Sequence, residues 1–266
     1  MSDEKRLTKE IANDPDSDLS EFTLLNDDAA EALAMRTGAG HDLGGLTSLS
    51  DAAAEMLSRC MGVLDLSGLT SLSDAAAEAL AKHKGPILDL SGLSTFSDKV
   101  AEALTKHEGE LLDLSGLNSL SDAAAEALAK HKGCLDLSGL TSLSVAAAEA
   151  LAKFDGELDF SGLTSLSDAT VEALANHKGG LELSGSTSLT DAAAEALAKY
   201  DDELDLSGLT SLSDAAATAL AKHRGHVLDL SGLTSLSDEA AETLAQYEGE
   251  LTLSSVIRHK VFRKRM

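Results

Sequence analysis

The sequence predicts an α/β solenoid in which a parallel β-sheet lines one side and α-helices line the other. Three observations predict it: a repeat of nearly fixed length, an apolar–acidic–apolar triplet in each repeat, and an alanine-rich segment after the triplet. The acidic residue of the triplet, which we call the marker, recurs at steps of 23 or 24 residues. Ten markers define ten repeats, at Asp18, Asp42, Asp65, Asp89, Asp113, Asp136, Asp159, Glu182, Asp205 and Asp229. Leu251 opens an eleventh repeat that is not completed.

Each repeat contains the signals of one strand followed by one helix. Leu64–Asp65–Leu66 alternates in the period of a half-buried strand, and Ser67–Gly68 ends it. Ser73–Asp74 supplies an N-cap and an acid in the first turn. Ala75 to Lys82 is rich in the best helix former, and Gly85 follows as the stop signal.

The helix pattern predicts which side chains are buried and which pair. Ala76, Leu80 and His83 share one face at i, i+4 and i+7. Glu78 and Lys82 lie on another face with the spacing of an i, i+4 ion pair.

Stacking of successive repeats explains how the leucines are buried. One repeat alone cannot bury Leu66, Leu69, Leu72 and Leu80, whereas stacked neighbours form one continuous core. Strands connected by helical crossovers run parallel. Because strands pack more closely than helices, the sheet is expected on the concave side and the helices on the convex side.

At the level of motif, Leu-Asp-Leu-Ser-Gly-Leu-Thr-Ser-Leu resembles the leucine-rich repeat, over roughly Asp18 to Val256. The helical half is similar to the ribonuclease-inhibitor subtype, and the segment Leu69–Leu72 resembles repeats of bacterial surface antigens. The resemblance implies protein–protein interaction as the usual role. It differs from the family at Leu69, where Asn or Cys is usual, so we expect Ser67, Thr70 and Ser71 to satisfy the backbone there.

Three segments are predicted along the chain: an N-terminal cap at 1–17, the solenoid at 18–253 and a basic C-terminal cap or tail at 254–266. Asp3 to Asn13 is expected to be a short amphipathic helix that covers the first repeat, with a disordered tail as the alternative. The C-terminal segment is expected to cover the last repeat with Val256, Ile257, Val261 and Phe262. It carries five basic residues, Arg258, Lys260, Arg263, Lys264 and Arg265. They favour a tail attracted to the acidic body over a site for anionic lipid or nucleic acid.

The composition narrows the possible functions. A formal net charge of −24 disfavours nucleic acid and anionic membranes as partners of the repeats. No apolar leader segment and no run of about 18 apolar residues is seen, so we expect a cytoplasmic protein without a membrane span. Cys60 and Cys134 are about three repeats apart, roughly 15 Å at the usual strand spacing, and are expected to be free thiols. No catalytic or phosphate-binding motif occurs, so we expect neither an enzyme nor a cofactor.

The acidic markers are the candidate partner-binding residues. In each strand the flanking leucines point into the core, so the markers point outward and stack in a ladder. The predicted site comprises Asp65, Asp89, Asp113, Asp136, Asp159, Glu182, Asp205 and Asp229. Neighbouring carboxylates about 5 Å apart repel by about 1 kcal/mol even in bulk water. Three features would each compensate this repulsion: serine hydroxyls of the Ser67 type, bridging divalent cations, or a bound basic protein or peptide. The remaining explanation for the ladder is that repeat duplication copied a tolerated acidic residue.

The histidines form a second periodic set, at His83, His107, His131, His177 and His223. The same position holds Cys60, Phe154, Tyr200 and Tyr247 in other repeats, which indicates a packing role rather than metal binding.

Two functions follow from these patterns. The first is a non-catalytic scaffold whose acidic concave sheet binds a basic protein or peptide. The alternative is a structural or spacer protein with no dedicated partner, stabilised by weakly bound divalent cations. Uncompensated repulsion in the ladder also predicts that stability rises as the pH falls toward the pKa values of the markers.

Overall fold

The computed structural model describes residues 5–14, 16–36 and 40–263, in which each repeat forms one short strand and one short helix. The chain divides into two compact units, Met1–Leu137 and Ser138–Met266. The predicted α/β leucine-rich-repeat solenoid is confirmed in its strand–helix repeat and its parallel sheet.

The first unit begins with a small sheet and continues with five stacked strands. Its elements are β1 (Arg6–Leu7), α1 (Lys9–Ala12), β2 (Leu24–Leu25), α2 (Asp27–Ala34), β3 (His41–Asp42), α3 (Asp51–Leu57), β4 (Leu64–Asp65), α4 (Asp74–Leu80), β5 (Ile87–Asp89), α5 (Asp98–Leu104), β6 (Leu111–Asp113), α6 (Asp122–Leu128) and β7 (Cys134–Asp136). Strand β1 pairs in parallel with β2. Strands β3 to β7 pair in parallel in sequence order.

The second unit repeats the same arrangement. Its elements are α7 (Val145–Leu151), β8 (Leu158–Asp159), α8 (Asp168–Leu174), β9 (Leu181–Glu182), α9 (Asp191–Leu197), β10 (Leu204–Asp205), α10 (Asp214–Leu220), β11 (Val227–Leu230), α11 (Asp238–Leu244), β12 (Glu250–Leu253) and α12 (Ser255–Phe262). Strands β8 to β12 are also parallel and in sequence order.

The core lies between each sheet and its helices. Leu64, Leu66 and Leu69 are fully buried, as is Leu80 from the following helix. Leu72 is only half-buried, so the expectation that it belongs to the core was wrong. Its place just before the helix cap leaves one side of the leucine in contact with solvent.

The glycine after each strand is required by close stacking. A Cβ added at Gly116 would lie 1.8 Å from the carbonyl oxygen of Ser91 in the preceding repeat, and one at Gly92 would lie 2.2 Å from that of Ser67. Neither glycine has a positive φ. Contact between repeats, rather than left-handed backbone, therefore explains this glycine.

Serine N-caps connect successive helices as well as starting them. The Ser97 hydroxyl accepts a hydrogen bond from the Val100 amide at 3.2 Å, which is a normal N-cap. The same hydroxyl donates to Asp74 Oδ1 in the preceding repeat at 2.8 Å. Equivalent bonds from one repeat to the previous one join Ser50–Asp27, Ser73–Asp51, Ser121–Asp98, Thr190–Asp168, Ser213–Asp191 and Ser237–Asp214.

This cap ladder is interrupted at Val145, which occupies the position of the acidic residue. In other repeats the cap hydroxyl donates to the acidic residue at this position. The Ser167 hydroxyl instead forms a hydrogen bond with the Thr170 hydroxyl at 2.8 Å. Valine at this position is 39% exposed and offers no acceptor.

The N-terminal segment differs from the predicted helix. Arg6–Leu7 is a strand, and the helix covers only Lys9–Ala12. Pairing of β1 with β2 satisfies backbone groups of the irregular first repeat, and Leu7 is fully buried. Asp3 and Pro15 lie outside the described residues.

The C-terminal helix α12 covers the last repeat with one face only. Ile257 and Val261 are buried, whereas Val256 is 72% exposed, which corrects the expectation for Val256. Phe262 is half-buried and lies beneath the Arg258 guanidinium, 5.7 Å from it. Lys264 and Arg265 lie outside the described residues.

The helix-face ion pair also differs from the prediction. Lys82 Nζ lies 2.8 Å from Glu55 Oε2 of the preceding repeat, rather than pairing with Glu78. In the stacked structure, the neighbouring helix thus offers Lys82 a carboxylate that an isolated helix lacks.

Candidate interaction surface

The markers lie side by side on the outward side of each sheet, which we call the sheet face. In the first unit Asp42 is paired in register with Asp65, then Asp89, Asp113 and Asp136 follow. In the second unit Asp159, Glu182, Asp205 and Asp229 are paired in the same way. All of these are half-buried except the exposed Asp42. Asp18 is exposed and lies outside any strand.

The serine two residues after a marker holds one of its carboxylate oxygens. Asp65 Oδ1 accepts from the Ser67 amide at 2.9 Å and from the Ser67 hydroxyl at 2.6 Å. Asp89 accepts the same two bonds from Ser91. Among the described residues, no hydrogen bond from the protein reaches Oδ2 of Asp65 or Asp89. The predicted serine compensation is therefore present, and it leaves one oxygen of each of these carboxylates open to an incoming donor.

Repulsion within the ladder is visible at its centre in the first unit. Burial raises the pKa of the Asp113 carboxyl above its ordinary value of 3.8, and the neighbouring charges of Asp89 and Asp136 raise it further. Hydrogen bonds from Ser115 act in the opposite direction. A cation or an ammonium group placed here would relieve both burial and repulsion.

The sheet face carries no basic side chain at the three outward positions of a repeat. Neither the markers nor the residues two before and two after them include lysine or arginine. On the helix side, by contrast, opposite charges are mixed, and pairs such as Lys99–Asp74 occur at 3.8 Å. The electrostatic field of the sheet face is therefore of one sign.

A second column of side chains on the sheet face was not considered in the sequence reasoning. It lies two residues before each marker and we call it the entry column. In the first unit, from β3 onward, it is Gly40, Val63, Ile87, Leu111 and Cys134. In the second it is Glu157, Gly180, Glu203 and Val227, followed by Glu250, which precedes Thr252 of β12 in the same register. In the sequence, the entry column can be recognised because the residues at this repeat position change from apolar in the first unit to mainly acidic in the second.

The corner after the strand follows the expectation only in part. Ser67 bonds the marker rather than the buried backbone. Threonine hydroxyls at the repeat position of Thr70 do bond backbone of the preceding repeat, as from Thr47 to the Thr23 carbonyl and from Thr234 to the Thr210 carbonyl. Buried Ser186, which replaces leucine in the eighth repeat, donates to the Leu163 carbonyl at 3.0 Å.

The histidine column is buried and stacked. The ring centroids of His83 and His107 are 5.8 Å apart, and those of His107 and His131 are 6.3 Å apart. In the second unit His223 stacks between Tyr200 and Tyr247. Burial lowers the pKa of His83 and of His131 to about 4, so both are neutral at pH 7. This agrees with the predicted packing role.

Within residues 5–14, 16–36 and 40–263, no group of three or more His, Cys, Asp or Glu side chains could hold a metal ion. Over the same ranges, no helix has the length and apolar character needed to cross a membrane. Both cysteines are free thiols; Cys60 is buried and Cys134 is exposed.

Comparison with solved structures supports the fold. The chain is similar to a leucine-rich-repeat protein of Leptospira interrogans, with a TM-score of 0.50 and 18% identity, over 92% of this chain and 68% of that one. It is also similar to a chain of the Toll–Spatzle complex of Drosophila, with a TM-score of 0.50 and 14% identity, over 94% of this chain. It spans only 41% of that second chain. No family model matches the sequence, and no curated protein matches it. The molecule therefore has a leucine-rich-repeat fold.

Proposed function

We propose that this protein is a non-catalytic scaffold whose acidic sheet face binds a basic protein or peptide. The observation that carries the proposal is the in-register ladder of half-exposed carboxylates in each unit. Lysine or arginine side chains spaced along a partner would find an acceptor at every strand.

The electrostatics of the ladder support a cationic partner. An ammonium group between Asp89 and Asp113 would pair with both carboxylates and lower the raised pKa of Asp113. Partly buried pairs of this kind are screened less by salt than fully exposed pairs. A one-signed surface also accelerates encounter with a cationic partner.

A binding titration with matched variants tests the proposal. The probe is a fluorescent lysine-rich peptide without apolar residues, titrated with wild type and with Asp65→Asn/Asp89→Asn/Asp113→Asn. Asparagine keeps the carbonyl oxygen that accepts the serine amide bond, so the fold is retained. The control, Glu78→Gln/Glu102→Gln/Glu126→Gln, removes the same charge from the exposed helix face.

The expected result is weaker binding for the sheet-face variant, by about ten-fold, and a smaller change for the helix-face control. Equal losses in the two variants would mean that only net charge matters. No binding by wild type would favour the spacer alternative, which the close similarity of the repeats and the Ser–Asp bonds between successive helices support.

A further inference from the structure

We propose that the sheet face of the first unit binds an amphipathic helix that presents an apolar row beside a basic row. This inference rests on the proposed function and refines it, because it assigns a partner class to one unit. The carrying observation is the juxtaposition, on one surface, of the apolar entry column Val63, Ile87, Leu111 and Cys134 with the marker column Asp65, Asp89, Asp113 and Asp136.

The apolar column is continuous and accessible. Ile87 is paired with Leu111, and Leu111 with Cys134, on adjacent strands. Val63 immediately precedes β4, whose Leu64 is paired with Leu88 next to Ile87. Val63 retains 37% exposure, Cys134 is exposed, and Ile87 and Leu111 are half-buried. Core packing does not explain a row of partly exposed apolar side chains across four strands.

The second unit supplies an internal comparison. At the same repeat position it has Glu157, Gly180, Glu203 and Glu250, with a single apolar residue at Val227. Its sheet face therefore carries acidic residues in both columns and no continuous apolar row, so it suits a purely basic partner. The first unit alone pairs an apolar column with an acidic one, so the two units differ in the partner that each would prefer.

The dimensions favour a helix lying across the strands. Adjacent strands are about 4.8 Å apart, and one helical turn rises about 5.4 Å, so one side chain per turn meets each strand. Four strands span about 14 Å, which corresponds to about ten helical residues. The two columns are two residues apart along each strand, about 7 Å, which matches neighbouring rows of side chains on one helix.

The charge of the partner follows from the marker column. Asp89, Asp113 and Asp136 stand side by side in register, and burial together with the neighbouring charges disfavours the charged form of Asp113. A cationic second row relieves this penalty, whereas an acidic row would add to it. Lysine or arginine at i and i+4, beside leucine in the adjacent row, satisfies both columns at once.

Two fluorescent helical peptides test the inference by anisotropy. Both carry the same lysine row; one has leucine in the adjacent row and the other has glutamine there. Wild type is expected to bind the leucine peptide at least about ten-fold more tightly, because the leucines are removed from water when they pack against the apolar column. Ile87→Thr/Leu111→Thr places a β-branched, strand-forming but polar residue at each position and is expected to abolish that preference. Val227→Thr in the second unit is the matched control and is expected to retain it.

A gain-of-function variant keeps the test independent of damage to the first unit. Glu203→Leu/Glu250→Leu places apolar side chains on both sides of Val227 and is expected to raise the number of leucine peptides bound per chain from one to two. Equal affinity for the two peptides, or a preference that survives Ile87→Thr/Leu111→Thr, would overturn the inference while leaving the acidic-face proposal intact. Failure of both peptides to bind would overturn both. Self-association of the free chain that is lost in Ile87→Thr/Leu111→Thr would assign the column to a second copy and also overturn it.

Discussion

The buried histidine column predicts that the protein loses stability when the pH falls from 7 to 5. Burial lowers the pKa of His83 and of His131 to about 4, from an ordinary value of 6.5. Burial also lowers the pKa of His107, which is stacked between them. Between pH 6.5 and 4 the unfolded chain therefore binds protons that the folded chain does not. The contribution of these histidines to the free energy of unfolding is fully present above pH 6.5 and is lost as the pH falls toward 4.

The magnitude follows from the pKa shifts. At pH 5 each of these two histidines is protonated in the unfolded chain and neutral in the folded one, which costs about 2 kcal/mol per residue at about 1.4 kcal/mol per pH unit. The pair thus lowers the free energy of unfolding by about 4 kcal/mol between pH 7 and pH 5. The structural basis is plain, because both ring nitrogens of His83 and of His131 lack a hydrogen bond of normal geometry among the described residues. Charging either ring would bury an unpaired ion.

Urea denaturation followed by circular dichroism at the two pH values measures this loss. The informative variant is His83→Phe/His107→Phe/His131→Phe, since the chain itself places buried Phe154 at the equivalent position. It is expected to lose much less stability than wild type over the same interval. The exposed His226 provides the control, and His226→Phe should behave as wild type does.

A gain in stability between pH 7 and pH 5 would contradict a dominant role of the buried histidines. The acidic ladder considered alone predicts a gain in stability as the pH falls, and the raised pKa of Asp113 contributes in that direction. That contribution belongs to a lower pH range, near and above the ordinary value of 3.8, so the histidines dominate between pH 7 and pH 5. A wild-type protein as stable at pH 5 as at pH 7, or a triple variant that loses as much as wild type, would contradict the account.

Three substitutions test the stacking of the repeats by thermal or urea denaturation. Val145→Asp should restore the interrupted cap ladder, by adding a first-turn acid and an acceptor for Ser167, and should stabilise by about 1 kcal/mol; no gain would mean that the Ser–Asp bonds contribute nothing. Gly116→Ala should destabilise by about 3 kcal/mol or more, because its Cβ would lie 1.8 Å from the Ser91 carbonyl oxygen; a neutral effect would contradict the close stacking. Ser186→Leu should stabilise by about 1 kcal/mol, since other repeats bury leucine there; a loss would show that the serine hydrogen bond outweighs burial.

The sequence predicted the regular part of the fold because the core demands it. In the regular repeats, the residues equivalent to Leu64 and Leu66 are buried on either side of an outward residue, and a hydroxyl side chain such as that of Ser73 caps the helix. The strand Arg6–Leu7 could not be found in this way, since it contains no repeat motif and is stabilised by pairing with the irregular first repeat. Lys82 was assigned to the wrong partner because the nearest carboxylate belongs to the preceding repeat.

The candidate surface was predictable only in part. The outward direction of Asp65 and its bond to Ser67 follow from strand alternation and short-range geometry. The entry column was overlooked because its residues, such as Ile87 and Glu203, do not pack in the core and vary between repeats. These residues form a column only because their strands are neighbours in the sheet, and the sheet register shows which strands are neighbours.

Zero-length carbodiimide cross-linking to the lysine-rich peptide, read out by mass spectrometry, shows directly whether the sheet face is the binding surface. It couples lysine amines only to carboxylates in contact with them. Cross-links are expected to concentrate on sheet-face markers such as Asp65 and Asp89, each of which has an oxygen without a protein donor among the described residues. Cross-links concentrated on helix-face residues such as Glu78 and Glu102 would contradict the claim that the sheet face is the binding surface.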